Sequence, residues 1–120
     1  MSSQDFAEKY VALWKTTDDK ERKELAAELF SEDAEHYAAP ANASFIGRDA
    51  IIANITNVNK GAIQEAGLKF NSGPSLMNHD SILVEWSAEA PNGKVVRSGR
   101  DFLVLNDKGK ATKLYMFTSD

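Results

Sequence analysis

The sequence predicts an α+β fold, with three N-terminal helices packed on one face of a curved antiparallel sheet. Three observations predict it. Apolar residues recur at helical spacing through the first half and switch to alternation after Gly67. Two turn segments, Pro91-Asn92-Gly93-Lys94 and Asn106-Asp107-Lys108-Gly109-Lys110, punctuate the alternating half as hairpins, so the strands they join are antiparallel. The length of 120 residues, with 42% hydrophobic and 27% charged, suits one domain, 1–120, with one core.

Each element has its own signal. Phe6, Tyr10, Leu13 and Trp14 lie at helical spacing and predict an amphipathic helix over 4–16. Thr16-Thr17-Asp18-Asp19 breaks it, and Asp18 with Glu21 resembles a capping box for a second helix over 19–30, whose stripe is Leu25, Ala26, Leu29 and Phe30. Ala34 to Ala39 is a short strand stopped by Pro40. Residues 41–47 read as a loop ending in Gly47. Asp49 can cap a third helix over 49–59, with Ile51, Ile52, Ile55 and Val58 facing inward; Lys60-Gly61 weakens it, and its longest extension reaches Glu65. Leu68-Lys69-Phe70 is a short strand, and Met77-Asn78-His79-Asp80 a turn. Ile82, Val84, Trp86 and Ala88 alternate with polar residues in the next strand. Strands over 95–105 and 111–118 complete a meander.

Composition excludes several classes of function. A net charge of −4 leaves no basic footprint for nucleic acid or an anionic membrane. No apolar run reaches membrane-spanning length, and Met1-Ser2-Ser3-Gln4-Asp5 lacks the pattern of a signal peptide. The absence of cysteine rules out disulfides and thiol chemistry and agrees with a cytoplasmic location. Phosphate-binding glycine loops, nucleophile elbows and metal-protease patterns are missing, and no cofactor is implied.

Asp101 is the most informative residue. It sits in Val95-Val96-Arg97-Ser98-Gly99-Arg100-Asp101-Phe102-Leu103-Val104-Leu105, a strand apolar at both ends and charged in the middle. A carboxylate on the inner face of a sheet is costly unless paired, hydrogen-bonded or protonated. Asp101 therefore faces solvent, pairs with Arg97 or Arg100, or serves as an interior acid. Arg97, four residues earlier, shares its face; there it would bind a carboxylate or enolate, or neutralise Asp101. Val96, Phe102 and Val104 fall on the opposite face, an apolar patch of the kind that marks an interface.

Several segments together resemble a known family. They are Tyr10-Val11-Ala12-Leu13, Leu29-Phe30-Ser31-Glu32-Asp33-Ala34, Phe45-Ile46-Gly47-Arg48-Asp49-Ala50-Ile51, and Asp101-Phe102-Leu103-Val104-Leu105-Asn106 before a glycine-containing turn. In this order they are similar to the nuclear transport factor 2-like superfamily, and within it to SnoaL-like and ketosteroid isomerase-like proteins. The resemblance implies a cone-shaped roll with an apolar pocket, of the cystatin-like type, and a homodimer. It also implies that Tyr10 and Asp101 take the positions of an oxyanion hole. In ketosteroid isomerases the acid at that position stays neutral and donates a hydrogen bond. The family's base, an Asp before a Pro, is replaced here by Ala39 before Pro40.

Each candidate also has a plainer reading. Tyr10 is a core aromatic or a hydroxyl donor. His36 is an acid or base near its ordinary pKa, or a solvent-facing edge residue. Either His36 or Tyr37 reaches the pocket. His79 belongs to a turn, and with His36 it holds a metal only if a third ligand joins them. Trp14, Trp86 and Met116 suit a pocket lining or a core. Two readings follow. One is a cofactor-free acid/base enzyme (isomerase, cyclase or dehydratase type) acting on a hydrophobic carbonyl compound. In it Asp101 and Tyr10 polarise an oxygen, His36 moves a proton, and Arg97, Tyr37, Trp14, Trp86 and Met116 bind the substrate. The other is a non-catalytic ligand-binding or dimerisation module.

Overall fold

The computed structural model describes residues 2–119. Helix α1 spans Ser3–Lys15. Ser2 caps it by accepting from the Asp5 N–H, while the Asp5 carboxylate takes the Ser2 N–H, a reciprocal box that the sequence pattern did not reveal. Helix α2 spans Asp19–Leu29; Asp18 caps it as expected, accepting from the Glu21 N–H at 2.9 Å. Strand β1 follows at once, over Phe30–Ala39, and the Ala39–Pro40 peptide is cis. The loop expected over 41–47 contains a strand, β2, Ala43–Ile46, which pairs with β1. Helix α3 spans Arg48–Val58 and continues as a π-helical segment, Asn59–Glu65, the extension the sequence allowed. Its N-cap is Gly47, at φ +93°, and not Asp49, which lies in the first turn; a glycine tolerates that backbone, so the helix starts one residue early.

Strands β3 (Lys69–Asn78), β4 (Ser81–Glu89), β5 (Val95–Leu105) and β6 (Ala111–Ser119) form the meander. The sheet order is β2-β1-β6-β5-β4-β3. Four pairings are antiparallel, but β1 lies parallel to β6, so the sheet is mixed and not wholly antiparallel. Local hairpins set the direction of the meander strands. No hairpin joins β1 to β6, and a long crossover brings them together in the same direction.

The helices cover the inner face of the sheet, α1 against β3 and α3 against β1. Leu13, Ile51, Ile55, Leu103 and Leu114 are fully buried between the layers. Each such side chain contributes about 1.5–3 kcal/mol of burial free energy. Two polar residues tie the layers together. Arg22, buried on α2, donates to Asp19 at 2.6 Å, to the Thr56 hydroxyl on α3 at 3.2 Å and to the Thr16 carbonyl at 2.7 Å. Buried Asn59 donates to the Trp14 carbonyl at 2.8 Å and so pins the end of α1 to the π-helical segment. Composition and spacing identified neither.

The outer face carries a row of apolar side chains in register across five strands: Tyr37, Tyr115, Phe102, Leu83 and Leu76. Tyr37 and Tyr115 stack with centroids 5.5 Å apart, and Phe102 packs on Tyr115 at 6.5 Å. Phe102 and Val96 are exposed on this face, as alternation predicted; Val104 is half-buried.

Candidate functional site

A cavity of about 550 Å³ lies between the helices and the inner face of the sheet. Tyr10, Val11 and Trp14 of α1 form one wall, and Asn54, Val58 and Ala62 another. From the sheet come His36, Trp86, Arg97, Asp101 and Met116. The alternation of β5 places Arg97, Gly99 and Asp101 on one face, and that face is the interior. A second hollow of about 470 Å³, on the sheet's outer side around Glu85, Arg100 and Phe117, holds no buried titratable group among the described residues.

Asp101 is the chemical centre. It is 1% exposed, and its carboxylate accepts two hydrogen bonds, from the Tyr10 hydroxyl at 2.6 Å and from the Trp86 indole N–H at 3.0 Å. Burial pushes its pKa up to about 6; the bonds from Tyr10 and Trp86 oppose the shift without cancelling it. Tyr10 moves the same way. Burial, then the neighbouring carboxylate charge, holds its hydroxyl well above the usual phenol value. Of the outcomes open to Asp101, the structure shows the interior acid. Arg97 lines the cavity but is exposed, and it makes no ion pair among the described residues. Arg100 points the other way and pairs with Glu85 at 2.9 Å.

His36 lies in the cavity wall and is 0% exposed, so it is buried and not at the mouth. Burial lowers its pKa to about 4, well away from its ordinary value, and leaves the ring neutral near pH 7. Its ring stands edge-on to Trp14 at 6.0 Å and tilts against Phe45 at 5.4 Å. Tyr37, the next residue, necessarily points to the outer face, where it donates to Glu35 and stacks on Tyr115. It is not a cavity residue, and its expected binding role is corrected on that ground. His79 sits in the β3–β4 turn, as expected, bonded to Asn78.

Trp14, Trp86 and Met116 line the cavity as expected. The sequence did not show that Trp86 is a hydrogen-bond donor to Asp101. Gly99, opposite Trp86 on β5, makes that bond possible: a Cβ there would lie 2.6–2.7 Å from three indole atoms. A glycine inside a strand is itself a sign of such close approach. Ala39, at the position of the family's base, also lines the cavity, so no carboxylate enters from that side.

No protein-family model and no curated protein sequence matches the chain. Solved structures do. A candidate isomerase of the SnoaL-like family from Agrobacterium tumefaciens superposes with a TM-score of 0.84 at 23% identity over 100% of both chains. A nuclear transport factor 2-like protein of unknown function from Exiguobacterium sp. 255-15 gives 0.73 at 21% identity, over 99% of each chain. A candidate ketosteroid isomerase from Kribbella flavida gives 0.73 at 18% identity, over 98% of this chain and 78% of that one. At these identities the likeness is one of fold. The chain has the α+β fold of the nuclear transport factor 2-like superfamily, as the resemblance implied.

Proposed function

We propose that this protein is a small-molecule enzyme of the SnoaL-like kind, performing cofactor-free acid/base chemistry on a hydrophobic carbonyl compound. One observation carries the reading. A buried carboxyl with a pKa of about 6, held by two donors, faces a largely apolar cavity. A general base works best when its pKa lies near the operating pH. At pH 7 Asp101 is largely ionised and can take a proton from a carbon next to a carbonyl. Once Asp101 is protonated, the Tyr10 hydroxyl is free to turn from the neutral acid to the developing enolate oxygen. His36, at about 4, is the weaker base of the two, so Asp101 and not His36 carries the proton in this proposal. The proton then returns from Asp101 to another carbon or to oxygen, which gives isomerisation, or elimination where a leaving group is present.

The test is deuterium uptake at the α-carbon of 2-tetralone, followed by NMR in D₂O. Wild-type protein should accelerate exchange over buffer, with a rate that rises with pH through about 6 as Asp101 ionises. Asp101→Asn should lose the acceleration. Exchange that is equal in both, or not above buffer, would end the enzymatic reading. Ala39 favours a second reading, a ligand-binding module, since the second carboxylate of the ketosteroid isomerase-like pattern is absent. That reading predicts saturable binding with no exchange. In either case we propose a homodimer through the outer face, supported by the five-strand apolar row.

A further inference from the structure

The cavity has a second polar end that the Asp101 chemistry does not use. Both ring nitrogens of His36 lack a hydrogen-bond partner among the described residues. The indole N–H of Trp14 lies close enough to the Tyr10 hydroxyl to favour its ionised form, but no hydrogen bond of normal geometry joins them. His36 is 0% and Trp14 8% exposed, and both line the cavity with their rings 6.0 Å apart. These nitrogens stand among mainly apolar neighbours in the cavity lining, including Val11, Phe45 and several alanines, with Asn54 as a further polar residue. Buried polar side-chain atoms nearly always find partners, and leaving one unpaired is costly. A core with no ligand to satisfy would be more stable with leucine at position 36.

The unpaired set specifies what would satisfy it. A neutral imidazole offers one donor and one acceptor, and an indole one donor. A ketone or ether oxygen accepts only, and hydrocarbon does neither. A hydroxyl both accepts, as the Trp14 N–H requires, and donates, as the bare imidazole nitrogen requires, and it fits either tautomer of His36. The Asp101 end is separate. His36 is on β1 and Asp101 on β5, with β6 between them, so their backbones are about 10 Å apart across the sheet. The two ends are thus placed to meet different ligand oxygens.

We infer that the cavity takes an apolar ligand with two oxygen functions, a carbonyl at the Asp101–Tyr10 end and a hydroxyl bound by His36 and Trp14. The first oxygen rests on the function proposed above; the second rests only on the unpaired nitrogens. His36 is thus a specificity-determining residue, selecting hydroxylated over plain carbonyl compounds.

Three probes on one ring scaffold separate the two oxygens: tetralin, 1-tetralone and 4-hydroxy-1-tetralone, each titrated calorimetrically. Wild type should bind the hydroxyketone about tenfold tighter than the ketone, the worth of one well-made buried hydrogen bond. In His36→Leu that ratio should fall to near one, while tetralin binds at least as well and the free variant melts higher than wild type. Asp101→Asn should keep the hydroxyl ratio and lose the preference for ketone over tetralin. A hydroxyl ratio near one in wild type, a ratio that survives His36→Leu, or a His36→Leu protein less stable than wild type would each overturn the inference. Absence of a ketone preference over tetralin in wild type, or its survival in Asp101→Asn, would count only against the carbonyl end. If none of the three binds wild type, the cavity is not a site for such compounds and both proposals fall.

Discussion

Gly99→Ala should damage the site by pushing Trp86 away from Asp101 on the interior face. The added methyl would sit 2.6 Å from Trp86 Cζ2 and 2.7 Å from Cε2 and Nε1. Carbon atoms rest at about 3.5–4.0 Å, so the indole must retreat by about 1 Å. The Trp86 N–H to Asp101 bond, 3.0 Å in the wild type, does not survive that shift. Overpacking costs about 1–3 kcal/mol, and a lost hydrogen bond to a charged group about 1.5–3 kcal/mol. The removal of a strand glycine returns about 0.5–1 kcal/mol. The net is a loss of about 1.5–5.5 kcal/mol, or a fall in Tm on the order of 10 °C. The Asp101 pKa should move above about 6, because one of the two donors holding it down is gone. Calorimetry and carboxyl NMR titration measure the two effects. Gly61→Ala, where nothing lies within 4 Å, is the control and should be harmless. An unchanged Tm with a midpoint still near 6 would refute the claim that Gly99 exists to seat Trp86.

The remaining expectations concern pH, assembly and the helical layer. Between about pH 4 and 6 native Asp101 keeps a proton that the unfolded chain releases, so its contribution to stability falls as pH rises, by at most about 3 kcal/mol. His36, with a folded pKa of about 4, does the reverse: the unfolded chain binds its proton first as pH falls, so stability rises with pH by a similar amount up to about 6.5. Urea unfolding at pH 4.5 and 6.5 should therefore show Asp101→Asn gaining stability with pH relative to wild type and His36→Leu losing it; parallel profiles would contradict both burial effects. Phe102→Lys, at the centre of the outer row, should give a particle of 13.2 kDa by light scattering where wild type gives twice that; a monomeric wild type at micromolar concentration defeats the dimer. Arg22→Ala should cost about 2 kcal/mol in urea unfolding, through the lost bonds to Thr16 and Thr56, without altering the Asp101 titration.

What the sequence revealed depended on how local the signal was. The β5 limits, Val95 and Leu105, were legible because turn residues bracket them on both sides. By contrast β3 read as three residues instead of ten, since Gly73-Pro74 breaks the alternation; the structure accommodates that pair as an irregularity between Ser72 and Ser75 on an edge strand. The four residues of β2 carry too little pattern to be seen, and they are a strand only because β1 is there to pair with. Asp101 was legible as an anomaly, yet its partners were not: Trp86 lies fifteen residues away and Tyr10 ninety-one. The choice between His36 and Tyr37 turned on the parity of β1, which the core fixes and local spacing does not.

The chain has two tryptophans, and both stand in the wall of the same cavity. Its indole emission is therefore a local signal. When the protein unfolds, fluorescence records the opening of the cavity, whereas far-ultraviolet circular dichroism records the sheet and helices as a whole. Coincident transitions would mean that the cavity wall and the sheet melt as one unit; an earlier fluorescence transition would mean that α1 lifts away first. Because the Trp86 N–H rests on the Asp101 carboxylate, the emission of a Trp14→Phe variant should also change as that carboxyl titrates, giving an optical readout of the one buried acid among the described residues.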